Sequence, residues 1–209
     1  MIDLLWVAAA FFVGTLPFSL WVGQLLLGQD IRRYGDANPG ATNVLRAGGK
    51  GAALLALLLD FLKGALPVGV AHLAAEITGW PLIAVAVAPV AGHAFSPWLG
   101  FRGGKAVATT GGIWCGLTIW EGPTVGGLLL GLAYFLLAVD GWAVLTAFGA
   151  LLLYLLLTPA SWNLLAARPE PWIILAVWVG TTGIVAWKHR QELTKPFAWR
   201  ARRAVPANR

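Results

Sequence analysis

Three clusters of glycine, amide and basic side chains interrupt a chain that is otherwise almost entirely apolar. The first runs from Gly35 to Arg46 and holds Asp36, Asn38, Gly40, Thr42, Asn43 and Arg46. Glycines let a loop turn tightly enough to aim backbone N–H groups at one point, which suits an anion. Asn38, Thr42 and Asn43 add neutral donors, and the Arg46 fork matches the oxygens of a phosphate. The second runs from Gly92-His93 to Phe101-Arg102-Gly103-Gly104-Lys105. Two glycines before a lysine at a helix start combine free N–H groups, the positive end of a helix and an ammonium. This is not a nucleotide loop. Gly100 to Gly104-Lys105 is one residue short of G-x-x-x-x-G-K, and Ala106 stands where a hydroxyl would hold magnesium. The third cluster is Lys188-His189-Arg190.

Proton-transfer groups accompany these cations. His93 follows Gly92 near the end of an apolar run, a depth at which polar groups are functional candidates and at which it can donate a proton. Asp36, Asp60 and Asp140 are the carboxylates that, with His93, could supply proton transfer. Asp60 and Lys63 are three apart and share a helix face, so they are expected to pair, with Lys63 within reach of the site. No His, Cys or carboxylate spacing fits a metal, so neither a metal nor a cofactor is expected. No G-x-S-x-G elbow is present. The single Cys115 cannot form an intrachain disulfide and reads as a packing residue.

The elements that carry these groups are membrane spans. Of 209 residues, 58% are hydrophobic and 11% charged, about half the charge of an average soluble domain. Apolar segments fall at about 4–27, 52–74, 81–99, 107–120, 123–138, 142–157 and 171–187. They predict an all-α, polytopic protein with about seven transmembrane helices, the fourth to sixth being short for a crossing. Basic residues set the orientation. With the N-terminus outside, the cytoplasmic segments hold Arg32, Arg33, Arg46 and Lys50, then Arg102 and Lys105, then Lys188, Arg190, Lys195, Arg200, Arg202, Arg203 and Arg209. Those are thirteen of the fifteen basic residues. Many of the twelve tryptophans end apolar runs, as in an interfacial belt. The N-terminus lacks a basic region and a small-residue cleavage site, and reads as a retained span. Residues 1–209 form one integral-membrane domain, with a basic cytoplasmic tail over about 188–209 that can lie on anionic lipid. The net charge of +6 flanks spans, which favours anionic headgroups or substrates over nucleic acid.

Across nearly its whole length the chain resembles the bacterial integral-membrane glycerol-3-phosphate acyltransferases of the PlsY type, which use acyl phosphate. The resemblance is carried in order by Gly14-Thr15-Leu16-Pro17-Phe18, Asn38-Pro39-Gly40-Ala41-Thr42-Asn43-Val44-Leu45-Arg46, Asp60-Phe61-Leu62-Lys63-Gly64, Gly92-His93, Gly100 to Thr109, and His189-Arg190. It implies seven spans, a site facing the cytoplasm of a bacterial inner membrane, no metal, and formation of 1-acyl-glycerol-3-phosphate for phospholipid synthesis. The substrates would be acyl phosphate and glycerol-3-phosphate, held by Asn38, Thr42, Asn43, Arg46, Lys63, Arg102, Gly103, Gly104, Lys105, His189 and Arg190. His93 and Asp36 would be catalytic. Three positions depart from the family. Asp36-Ala37-Asn38 replaces Ser-Gly-Asn, Val139-Asp140-Gly141-Trp142 lacks the family's serine, and Glu192 replaces an asparagine.

Other readings use the same cations. A small-anion transporter would place its site near mid-membrane, often between inverted repeats. The clusters lie at one surface and no repeat is visible. A homologue that acylates a different alcohol, or binds lipid without turnover, fits the lost serines.

Overall fold

The computed structural model describes residues 2–163 and 168–200. Arg202, Arg203 and Arg209 of the expected tail lie outside the described residues. Among the described residues the helices are α1 (Ile2–Thr15), α2 (Phe18–Leu27), α3 (Ala41–Arg46), α4 (Lys50–Gly69), α5 (Gly79–Ala94), α6 (Val107–Thr118), α7 (Glu121–Leu136), α8 (Asp140–Leu157), α9 (Pro171–Lys188) and α10 (Arg190–Leu193). The described residues hold no strand beyond an isolated antiparallel bridge between Leu137 and Trp199.

Among the described residues five helical stretches are long and apolar enough to cross a membrane: Asp3–Leu27, Lys50–Ala74, Gly79–Leu99, Asp140–Leu157 and Pro171–Lys188. The segments expected as the fourth and fifth spans fold as helices α6 and α7, of 12 and 16 residues, and neither is among those five. α6 is short because left-handed Ala106 starts it and Ile119, at φ 56, ends it. The first span is broken. α1 stops at Thr15 and α2 starts at Phe18 because Pro17 supplies no N–H to continue the ladder.

Lipid gives helices little hydrophobic reason to associate, so close backbone approach and interhelical hydrogen bonds must hold them. α4 and α6 meet in this way. A Cβ on Gly64 would fall on the Thr109 carbonyl and one on Gly112 on the Phe61 carbonyl, while the Thr109 hydroxyl donates to the Asp60 carbonyl at 2.9 Å. α1 and α5 do the same, with Gly92 against the Phe11 carbonyl. α7 and α8 instead meet through side chains, Leu129, Leu130 and Ala133 against Ala143 and Ala147. The outer surface is apolar, with Leu25, Phe135 and Leu157 more than three-quarters exposed, as lipid-facing side chains are.

One end of the bundle is locked by a buried ion pair. The Arg168 guanidinium donates to both Glu121 oxygens and to the carbonyls of Leu155 and Thr158, and the Tyr154 hydroxyl donates to Glu121 at 3.0 Å. This ties the segment after α8 to the start of α7. The opposite end gathers the polar clusters.

Candidate active site

Three segments distant in sequence meet where α4 and α6 begin and α9 ends. The loop before α3 brings Asp36 and Asn38, α3 itself brings Asn43 and Arg46, the loop before α6 brings Lys105, and the end of α9 with α10 brings His189 and Glu192. Asp36 links the first two. Its Oδ2 accepts from Lys105 Nζ at 2.6 Å, and its Oδ1 lies 3.8 Å from Arg46 Nη1. Oδ1 also accepts from the Asn38 N–H at 3.2 Å and the Asn43 amide at 3.0 Å. Asn43 in turn accepts from Arg46 at 2.9 Å, and the Asn38 side chain accepts from the Lys105 N–H at 3.0 Å. Lys105 also pairs with Glu192.

The local sequence makes these approaches feasible. A Cβ on Gly35 would collide with the Arg46 guanidinium, so the arginine can lie across that turn only because glycine is there. Gly103 and Gly104 lie directly on the His93 carbonyl and ring. Ala37, Phe101 and Ala106 sit at φ between 60 and 62, a strained region for residues bearing a Cβ, and all three are in the two loops that carry the site.

Charges in this cluster are mutually adjusted. Burial raises the Asp36 carboxyl, but the hydrogen bond and charge of Lys105, with the Asn38 and Asn43 donors, outweigh it and hold it below the usual carboxylate range. Burial lowers the Lys105 ammonium, yet its bonds to Asp36 and Glu192 outweigh that and hold it above the usual lysine value. Burial holds His189 below the usual imidazole value, against a hydrogen bond to the Val185 carbonyl. A carbonyl can only accept, so His189 Nδ1 (2.8 Å from that oxygen) carries the proton and Nε2 of the neutral ring is an acceptor.

A cavity of about 530 Å³ opens from this cluster. Asp36, Asn38, Thr42, Arg46, Lys105 and His189 line its polar end. It continues between α4, α6, α7 and α8 past Leu57, Phe61, Trp114, Gly126 and Leu151. The polar end suits an anion and the remainder an alkyl chain.

The expected site residues therefore divide. Asp36, Asn38, Thr42, Arg46, Lys105, His189 and His93 line the cavity, while Asn43 orients Asp36 and Arg46 from behind. His93 is buried beneath Gly104, its Nδ1 3.8 Å from Asp60. Lys63 is not brought to the cavity. Its ammonium is buried, 2.8 Å from Asp60 and 2.7 Å from the Leu16 carbonyl freed by the break at Pro17. Arg102 is exposed, and Arg190 turns back to the Trp187 carbonyl and stacks on its indole. Gly103 and Gly104 act through backbone: the Gly103 carbonyl accepts from Lys188 at 2.7 Å, and the Gly104 N–H donates to His93. Sequence reasoning saw Glu192 only as a departure and did not select Tyr134, which lines the cavity from α7. Tyr134 stands near no motif, and Glu192, two residues beyond His189-Arg190, carries a charge opposite to the cations around it.

Taken together, the fold and the site define an integral-membrane helical protein whose cavity joins a polar end bearing Arg46 and Lys105 to an apolar groove. A model of the glycerol-3-phosphate acyltransferase family matches residues 4–198. The chain is 46% identical over 125 residues to the glycerol-3-phosphate acyltransferase of Anaeromyxobacter sp. (strain K), covering 57% of this chain and 61% of that one. It is 37% identical over 199 residues to that of Desulfovibrio desulfuricans, covering 93% and 82%. Among solved structures it is similar to PlsY (YgiH), an integral membrane glycerol 3-phosphate acyltransferase in its glycerol 3-phosphate form, with a TM-score of 0.75, 30% identity, and 93% and 91% of the two chains covered. The chain belongs to the glycerol-3-phosphate acyltransferase family.

Proposed function

We propose that the chain moves a fatty acyl group from acyl phosphate to the primary hydroxyl of glycerol-3-phosphate, giving 1-acyl-glycerol-3-phosphate and inorganic phosphate. One observation carries this reading: Arg46 and Lys105 share a single cavity whose floor is apolar and runs between the helices. Family membership supports the acyltransferase activity itself. Acyl phosphate is a mixed anhydride, already activated, so no protein nucleophile is required. The acceptor oxygen attacks the acyl carbonyl, the bond from that carbon to the phosphate oxygen breaks, and phosphate departs with the pair of electrons. Arg46, Lys105 and the Asn38 and Thr42 side chains hold phosphoryl oxygens, and His189 Nε2 accepts from the substrate. Positioning and charge neutralisation supply the acceleration.

Asp36 and His93 receive supporting roles here. A general base works best with a pKa near the operating pH. The lowered pKa of Asp36 suits a counter-ion that holds Lys105 and Arg46 together. The hydroxyl proton passes to the acceptor's own phosphate, the route that the family resemblance implies. His93 supports the Gly103-Gly104 turn from beneath.

The placement of basic residues supports seven crossings, an outside N-terminus and a site on the cytoplasmic face of a bacterial inner membrane, within a single domain spanning residues 1–209. The deciding assay supplies purified protein with palmitoyl phosphate and glycerol-3-phosphate and reads lipid products by mass. Lysophosphatidate appearing only with both substrates is expected. Acylation of another alcohol but not glycerol-3-phosphate would overturn the acceptor. Flux of labelled glycerol-3-phosphate across proteoliposomes with no acyl product would replace the enzyme with a transporter.

A further inference from the structure

We infer that Glu192 is an internal competitor for the phosphate position on Lys105, and so sets the affinity of the site for its phosphorylated substrate. The inference rests on reading Lys105 as a phosphate ligand.

Two carboxylates hold the Lys105 ammonium, and they are held very differently. Asp36 is anchored: its oxygens accept from the Asn38 N–H, the Asn43 amide and Lys105, and Arg46 stands 3.8 Å away. Among the described residues the Glu192 carboxylate has one hydrogen-bond partner, Lys105 itself. Its second oxygen, Oε2, is buried and accepts no hydrogen bond. A buried carboxylate oxygen left without a donor is costly, so the carboxylate gains by leaving. It also sits on the four-residue α10, a single helical turn with little cooperative stability of its own.

Lys105 lines the cavity and Glu192 does not. A phosphate entering from the cavity therefore meets an ammonium whose charge is already matched by Asp36 and Glu192. Bringing a dianion to that point sets three anionic groups around one lysine, with Arg46 on the far side of Asp36. The least anchored anion, Glu192, must give way. Asp36 stays, because releasing it would strand Asn43 and Arg46 as well. Binding energy spent on displacing Glu192 is withheld from affinity, so the wild-type site binds phosphate more weakly than Arg46 and Lys105 alone would allow.

The test replaces Glu192 with Gln, which keeps shape and removes charge. KM for one phosphorylated substrate should fall about tenfold, the size expected for removing a unit charge a few ångströms away at a protein surface. Varying glycerol-3-phosphate at saturating palmitoyl phosphate, and the reverse, tells which phosphate sits on Lys105. Inorganic phosphate should inhibit E192Q at correspondingly lower concentration than wild type. E192N guards against a local defect in the first variant, and thermal melting confirms that each is folded. In a Lys105→Gln background the Glu192 substitution should no longer strengthen binding of inorganic phosphate, read as the rise in melting temperature that phosphate gives. Unchanged or raised KM and phosphate inhibition constants in both folded variants overturn the inference, provided Lys105→Gln alone is inactive. If Lys105→Gln is fully active, the phosphate reading itself has failed.

Discussion

The Lys105 ammonium lies 2.6 Å from the Asp36 carboxylate, although 69 residues separate them. That contact joins two loops, each of which had the makings of an anion site alone. Arg46, 3.8 Å from the other Asp36 oxygen, makes one pocket of them. A single acid thus spaces two cations that would otherwise repel.

Arg46→Ala and Lys105→Ala should each lower kcat/KM by at least about a hundredfold, the scale of losing a charge-stabilising donor at a reacting centre. Melting temperatures should stay close to wild type, because both side chains bond within the site and not to the helix core. Full turnover in both variants would remove them from the chemistry.

The Asp36–Lys105 pair should shape stability against pH. The lowered Asp36 pKa contributes stability that is present above the unfolded carboxylate value and lost as pH falls through the folded one, below about pH 4. The raised Lys105 pKa contributes stability present below the unfolded lysine value and lost as pH climbs above about 10. Asp36 is partly exposed, so water screens the effect and it is small. Asp36→Asn should flatten the acid limb of melting temperature against pH, and an unchanged limb would assign it to other carboxylates.

At the other end, Glu121→Gln or Arg168→Met alone should cost about 3–5 kcal/mol, because each strands a buried charge. The double replacement should recover much of that loss. Turnover per folded molecule should match wild type, since the pair is remote from Lys105. Equal losses in the single and double variants would mean that the pair's geometry, not its stranded charge, matters.

Gly126 lines the groove, and a Cβ there would already stand 3.2 Å from a Leu151 methyl. Gly126→Leu should therefore reduce kcat/KM for palmitoyl phosphate far more than for a short acyl phosphate. An equal reduction for both would place the alkyl chain elsewhere.

The sequence made some of this legible and hid the rest for physical reasons. Asp60 and Lys63 lie one helical turn apart, and they pair at 2.8 Å. What drew Lys63 away from the cavity was the Leu16 carbonyl, released by the chain break at Pro17 within a run that hydropathy reads as continuous. Asp36, Asn43 and Arg46 are close in sequence, so their grouping is local chemistry. Their union with Lys105 was suggested by shared charge and sidedness, since no spacing reaches across 69 residues. Glu192 reaches Lys105 across 87 residues, and its place just after His189-Arg190 marked it as a departure without indicating a partner. Hydropathy marked the positions of α6 and α7 but could not tell helix length from apolar extent.

The two walls of the groove are built differently. α4 and α6 touch backbone to backbone at Gly64 and Gly112, whereas α7 and α8 meet through leucine and alanine side chains. Backbone contacts cannot yield, and side chains can change rotamer. A groove between these pairs thus has one fixed wall and one pliable wall. Hydrocarbon chains of differing shape would then be accommodated by rotamer changes on the α7–α8 side, while the α4–α6 side keeps its form.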